Sequence, residues 1–234
     1  MTDNLVAPAH QVELVVVNGE WQHAQDHEGE IAAFFAREQA ANSDLFDGPF
    51  YILDKWQLAD GILRGACLET TYAAYLHWRA HGYPSPGYNA FAMPVVRPVG
   101  GGILLGRMAP WTVNAGRWYM PAGSIDNIDV LDDGRIDLAG NMSRELAEEI
   151  GLKVLRRMVA PTWTLVFTRG RLAMFREIVL RRSADALLAS IESHLAKQEK
   201  PELDAVRLVT TRRDCVGLDM PSFLMPYLEA VLPA

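Results

Sequence analysis

The stretch Asp137-Leu-Ala-Gly-Asn-Met-Ser-Arg144-Glu145-Leu-Ala-Glu148-Glu149-Ile-Gly151-Leu152 decides how the rest of this chain is read. Asp137 has the short acceptor side chain of a helix N-cap, and Gly151 suits the left-handed residue that ends a helix. Leu138, Met142, Leu146 and Ile150 recur every four positions and predict a buried stripe. Glu145, Glu148 and Glu149 stand at i, i+3 and i+4, so their carboxylates share one helix face. Three such carboxylates repel one another, and a hard divalent cation such as Mg²⁺ or Mn²⁺ relieves that repulsion. Arg144 is placed to pair with one of them and fix its orientation. Taken alone, a face of this kind is more often solvated charge than a metal site.

Upstream, Gly116-Arg-Trp-Tyr-Met-Pro-Ala-Gly123 reads as a strand entering a Pro-Gly turn, and a loop bearing Asp126, Asp129, Asp132 and Asp133 leads into the helix. Downstream, residues 162–168 and 172–180 predict a hairpin around Arg169-Gly-Arg171, and a helix over 184–197 follows. A strand over 205–209 and a helix over 222–231 complete the chain. Strands are also expected over 91–96 and 103–105, joined by a hairpin turn at Val99-Gly-Gly-Gly102. Before residue 88 the pattern gives a loose tail over 1–10 and a strand over 12–16 ending at the hairpin signal Asn18-Gly19. A helix over 28–41, a hairpin turning at Asp60-Gly61 and a helix from Thr70 or Thr71 to about Ala80 come next. Strands and helices mix without βαβ alternation, so the fold class is α+β with a mixed sheet. His81-Gly-Tyr-Pro-Ser-Pro-Gly87 is the strongest linker in the chain and divides it into residues 1–88 and 89–234.

The 234 residues carry 22 Lys and Arg against 29 Asp and Glu, a net charge of −7, with no basic footprint for nucleic acid. No apolar run is long enough to span a membrane. The start carries no export signal, and Cys67 and Cys215 form no CxxC pair. Free thiols and a cytoplasmic location are expected. His77 and His81 lie four apart near a predicted helix end and read as surface histidines.

The run Arg-Glu-Leu-x-Glu-Glu-x-Gly-Leu resembles the second half of the Nudix box, and Gly116–Gly123 resembles the strand and turn that open it. The resemblance covers roughly residues 90–234. It implies a Nudix α/β/α sandwich with a mixed sheet, preceded by a small α+β region over 1–88. The implied enzyme is a pyrophosphohydrolase that uses Mg²⁺ or Mn²⁺. It would cleave a nucleoside diphosphate joined to a second group X into a nucleoside monophosphate and phospho-X. By the same resemblance Glu145, Glu148 and Glu149 hold the metal, Arg144 orients them, and Gly123 is the first glycine of the box. Arg144 lies 21 positions after Gly123, seven more than the family pattern, and the extra residues are expected around Ile125 to Asp133, as an acidic wall at the site. Ile136 stands where the family has a glutamate, and Ala122 replaces the second glycine. A nucleotide-binding module without hydrolysis is therefore the alternative reading.

The general base is sought among Glu202, Asp204 and Glu177, and Arg107 is a candidate for a substrate phosphate. Each of these has an ordinary surface role as its competitor. The segment Asn42-Ser-Asp-Leu-Phe-Asp-Gly-Pro-Phe50 resembles the front part of Nudix UDP-sugar diphosphatases, which favours a nucleotide sugar as substrate. Phe34, Phe35, Phe46, Phe50, Trp56 and Trp78 are too many large side chains for a solvated appendage, so residues 1–88 are expected to pack on the Nudix domain or to bury a homodimer interface.

Overall fold

The computed structural model describes residues 5–234. Its elements run β1 (Leu5–Ala9), β2 (Gln11–Val17), α1 (Gln22–Asp26), α2 (Glu28–Ala41), β3 (Pro49–Ala59), β4 (Ile62–Thr71), α3 (Tyr72–Ala80), β5 (Tyr88–Val99), β6 (Ile103–Met108) and β7 (Trp118–Tyr119). They continue with α4 (Leu138–Ile150), β8 (Val159–Thr168), β9 (Arg171–Ser183), α5 (Ala184–Leu195), β10 (Leu203–Val209) and α6 (Leu224–Val231). The class is mixed α+β, as the sequence indicates.

One seven-stranded sheet has the order β1-β8-β9-β5-β3-β4-β2, and a three-stranded sheet has the order β10-β6-β7. The large sheet is mixed: β5 with β9 and β2 with β4 are parallel, and the other pairs are antiparallel. Its two edge strands, β1 and β2, are separated in the chain by His10 alone. One residue spans about 3.6 Å at most, so the sheet curls until its edges meet. The sheet also runs across residue 88, through the short β3–β5 pairing of Ile52 with Asn89 and Leu53 with Tyr88.

Period-two alternation sorts the side chains into two cores. Ala92, Leu165 and Met174 face the inside of the curl with Leu14, Leu53 and Leu63. Their chain neighbours Met93, Val166 and Phe175 face the other way, against the small sheet and the C-terminal helices. A third cluster holds α1, α2 and α3 on the large sheet through Ile31, Phe35, Phe50 and Trp78. Phe46 stays exposed, and Trp56 stacks on Phe167 of β8, 4.4 Å between centroids.

Three local expectations change. Leu5–Ala9 is a paired edge strand rather than a loose tail, while residues 1–4 lie outside the described ones. Asn18-Gly19 ends β2 without making a hairpin, because β2 pairs in parallel with β4, which follows it only after two helices and a strand. Gly100-Gly-Gly102 carries the chain from the large sheet to the small one, and its three positive φ values (94°, 91° and 90°) make that crossing possible for glycine. Cys67 and Cys215 are buried free thiols.

His77 is buried rather than at the surface, and it belongs to a histidine cluster. Its Nδ1 lies 3.1 Å from Nε2 of His23, and its ring lies 4.2 Å from that of His81 and 5.6 Å from that of His27. Burial, then the neighbouring His27, His77 and His81, pushes the His23 pKa down to about 4. A base with a lowered folded pKa takes up its proton in the unfolded chain first. Stability is therefore full above about pH 6.5 and is lost as pH falls towards 4. The drop in Tm between pH 7.5 and 5 is expected to be shallower in His23→Leu than in the parent protein. Equal slopes in the two melting series would show that His23 does not titrate this way.

Candidate active site

The acidic helix forms where the sequence places it. The Asp137 side chain accepts from the N–H of Gly140 at 2.9 Å, and Gly151 closes the helix at φ 67°. The buried stripe divides between two cores: Leu138 and Met142 enter the curled sheet, and Leu146 and Ile150 enter the larger cluster. The flank of that stripe presents the glutamates at graded depth. Glu149 is buried, Glu145 is 12% exposed and Glu148 is 61% exposed.

Gly123 lies directly beneath Glu145. A Cβ on Gly123 would meet the Glu145 carboxyl group at 2.2 Å, so a glycine is required for the carboxylate to rest there. The Ala122 amide favours the charged form of Glu149, yet burial, then Glu202 and Glu145, pushes the Glu149 pKa well up. Burial also lifts Glu145 to about 7, with Arg144 opposing and Glu148 and Glu202 adding to the rise. Oε2 of Glu149 is buried with no hydrogen-bond partner. A desolvated carboxylate oxygen without a partner is costly, and a cation relieves it.

Arg144 stands over the group. Its Nη1 contacts Glu145 at 2.7 Å and Glu148 at 3.4 Å, and its Nη2 contacts Asp129 at 3.0 Å. Asp129 is itself buried and fully engaged: the Asn141 side chain and the Asp126 N–H each donate to it at 2.9 Å. Among the described residues no three Asp, Glu, His or Cys side chains are gathered closely enough to hold a metal as they stand. Glu145 and Glu148 share one helix face, as expected, but both are turned onto Arg144. The hard-oxygen donors, the partnerless Glu149 Oε2 and the Gly123 cradle nevertheless fit a divalent cation once those two carboxylates swing away from the guanidinium.

The other candidates separate. Glu202 is brought to the site, since its charge acts on both Glu145 and Glu149. Asp204 and Arg107 pair with each other at 2.6 Å on the small sheet, beside a different hollow. Glu177 pairs with Arg97 at 2.6 Å. These three residues have ion-pair partners of their own.

No family model and no curated protein matches the chain. The chain is similar to Nudix hydrolases of known structure. A MutT protein from Methanosarcina mazei Go1 aligns with 18% identity and a TM-score of 0.42, over 61% of this chain and 91% of its own. A Nudix hydrolase from Alicyclobacillus acidocaldarius aligns with 16% identity and a TM-score of 0.43, over 62% and 91%. The Nudix hydrolase RenU from M. smegmatis aligns with 16% identity and a TM-score of 0.36, over 62% and 86%.

Against the Nudix pattern, the residue that sequence reading missed is Asp129. Ile136 is a buried apolar side chain of the curled core and contributes no charge. Asp129, six positions after Gly123, brings a carboxylate to Arg144 instead, and residues 130–136 lie between it and Asp137. Residues 130–136 form a small hairpin closed by the Val130–Ile136 bridge and by the Asp137 N–H donating to the Asp129 carbonyl at 2.7 Å. The hairpin docks on β2, where Val16 donates to Gly134 at 2.8 Å and Ile136 donates to Leu14 at 2.9 Å. Of the four aspartates expected to wall the site, Asp129 alone contacts Arg144, while Asp132 and Asp133 are exposed. Counting forward from Gly123 rather than back from Arg144 would have pointed to it.

Proposed function

We propose that this chain is a metal-dependent hydrolase of the Nudix type. It cleaves the diphosphate bond between a nucleoside phosphate and a second group X, with a nucleotide sugar favoured. The observation that carries this reading is the pair of desolvated carboxylates: Glu145 seated on Gly123, and Glu149 with a buried oxygen that has no partner. Mg²⁺ or Mn²⁺ held by Glu145, Glu148 and Glu149 would offset diphosphate charge and lower the pKa of a bound water. Arg144, clamped by Asp129, steadies Glu145. Glu202 is the carboxylate outside the helix whose charge acts on both Glu145 and Glu149, and we assign it the proton of the attacking water. Ile136 had favoured a binding module without hydrolysis, and Asp129 weakens that argument. Residues 1–88 serve as an accessory region, which adds four strands to the sheet and lends α3 to a cavity beside the site. No helix among the described residues is long and apolar enough to cross a membrane.

The test is a phosphate-release screen over nucleotide sugars, dinucleotides, coenzyme A and nucleoside triphosphates, with each cation in turn. Turnover of at least one diphosphate compound is expected, and EDTA should abolish it. Undiminished turnover in EDTA, or none with any compound, would refute the reading.

A further inference from the structure

A cavity of about 130 Å³ opens against Ala122 and Gly123, so it shares a wall with the carboxylate site. At the ~30 Å³ that a water takes up in the liquid, it has room for about four waters, enough for a phosphate-sized group. Its charge is opposite to that of the protein as a whole. Arg79 from α3, Arg117 before β7 and Arg171 at the start of β9 line it, and no aspartate or glutamate does. Among the described residues neither Arg79 nor Arg171 has a carboxylate within 4.0 Å, while Arg117 reaches Asp219 at only 3.7 Å.

Two of the guanidiniums are held in place by neutral groups. Arg79 donates to Oδ1 of Asn114 at 3.1 Å, and Asn114 in turn donates to the Tyr119 hydroxyl at 3.1 Å. Arg171 lies 5.0 Å from the Tyr83 ring centroid. The Tyr75 hydroxyl accepts from Asn89 at 3.1 Å. Since Tyr75 and Tyr119 both act as acceptors in these bonds, their own O–H hydrogens are left to donate to a ligand. A cavity that gathers two guanidiniums with no carboxylate partner among the described residues, and hydroxyl donors beside them, suits an anion.

We propose that this cavity binds an anionic group of the substrate, a phosphate or carboxylate other than the diphosphate that is cleaved. The substrate is then a nucleoside diphosphate derivative carrying an additional negative charge, and α3 of the N-terminal region sets that preference. The proposal rests on the hydrolase reading only for which bond is broken. Anion binding itself is measured separately, in EDTA, where no metal-dependent turnover interferes.

Calorimetric titration of the full chain with inorganic phosphate would compare the parent protein with the Arg79→Gln/Arg171→Gln double variant. Two matched ligand pairs would accompany it: ADP-ribose with 2′-phospho-ADP-ribose, and UDP-glucose with UDP-glucuronate. Phosphate is expected to bind at least about tenfold more weakly to the variant, as charge-assisted hydrogen bonds are lost. The charged member of at least one pair should bind the parent at least about tenfold more tightly than its neutral partner, and that ratio should fall towards one in the variant. Discrimination in the first pair identifies a phosphate, and in the second a carboxylate. Equal phosphate binding by both proteins, no phosphate binding by the parent, or no discrimination in either pair would overturn the proposal. A failed hydrolysis screen alongside intact anion discrimination would instead sink only the hydrolase reading. Circular dichroism of the double variant establishes that it is folded, and Arg171→Lys, which keeps the charge, should restore part of the binding if charge carries the effect.

Discussion

Replacing Glu149 by glutamine should lower metal-dependent turnover at least about a hundredfold, the upper end of what losing even an indirect metal contact costs, and should raise the Tm of the metal-free protein. The two effects have one cause. Glu149 is buried, one of its oxygens has no partner, and Glu145 and Glu202 repel its charge. In the absence of a cation the ionised form destabilises the fold. For an acid whose folded pKa is raised, the unfolded chain ionises first, so stability is lost as pH rises above the ordinary carboxylate range. Glutamine removes that loss while keeping the shape. In EDTA at pH 8 the variant should melt a few degrees higher, at roughly 2–4 °C per kcal/mol for a chain of this size. The gap should close below about pH 3.5, where the parent carboxylate is protonated in both states. Turnover that survives the substitution would remove Glu149 from the metal set. A lower Tm would show instead that its charge is already satisfied.

The second large effect concerns Asp129. Asp129→Ala deprives Arg144, the Asn141 side chain and the Asp126 N–H of their shared acceptor. Leaving these buried donors unpaired should cost about 2–3 kcal/mol, or roughly 5–10 °C in Tm. Arg144, no longer held from behind, should settle deeper into the Glu145–Glu148 pair and compete with the cation. Activity should then recover partly as the Mg²⁺ concentration is raised, which simple unfolding would not produce. Ile136→Glu is the informative companion. It supplies a carboxylate where the family spacing asks for one, but it does so inside the curled apolar core. It should destabilise the protein and should not rescue Asp129→Ala. Rescue by that variant would mean that Ile136, not Asp129, marks the position of the pairing carboxylate.

Much of this architecture is legible in the chain because it depends on near neighbours. Helix α4 is specified by its own caps and by Leu138, Met142, Leu146 and Ile150. The i, i+3, i+4 spacing alone puts Glu145, Glu148 and Glu149 on one face, and Gly123 was picked out from the turn that contains it. What escaped depends on partners distant in sequence. Asn18-Gly19 has the composition of a hairpin turn, but strand pairing is a tertiary choice, and β2 found a parallel partner more than forty residues on. His77 looked like a solvated helix-end residue until His23, His27 and Phe34 were folded over it.

The sequence by itself determined the acidic helix, its caps, its buried stripe and the chemistry of hard oxygen ligands, since all of these follow from residues within one or two turns. Only the tertiary structure decided that Asp129 clamps Arg144, that Glu202 is the outside carboxylate near the site, and that Glu177, Asp204 and Arg107 have other partners. Only it showed that α3 carries Arg79 to the wall beside Gly123. The reason is physical: burial and charge act through space, and the desolvation that gives Glu149 its character arises from side chains brought together by packing rather than by sequence order.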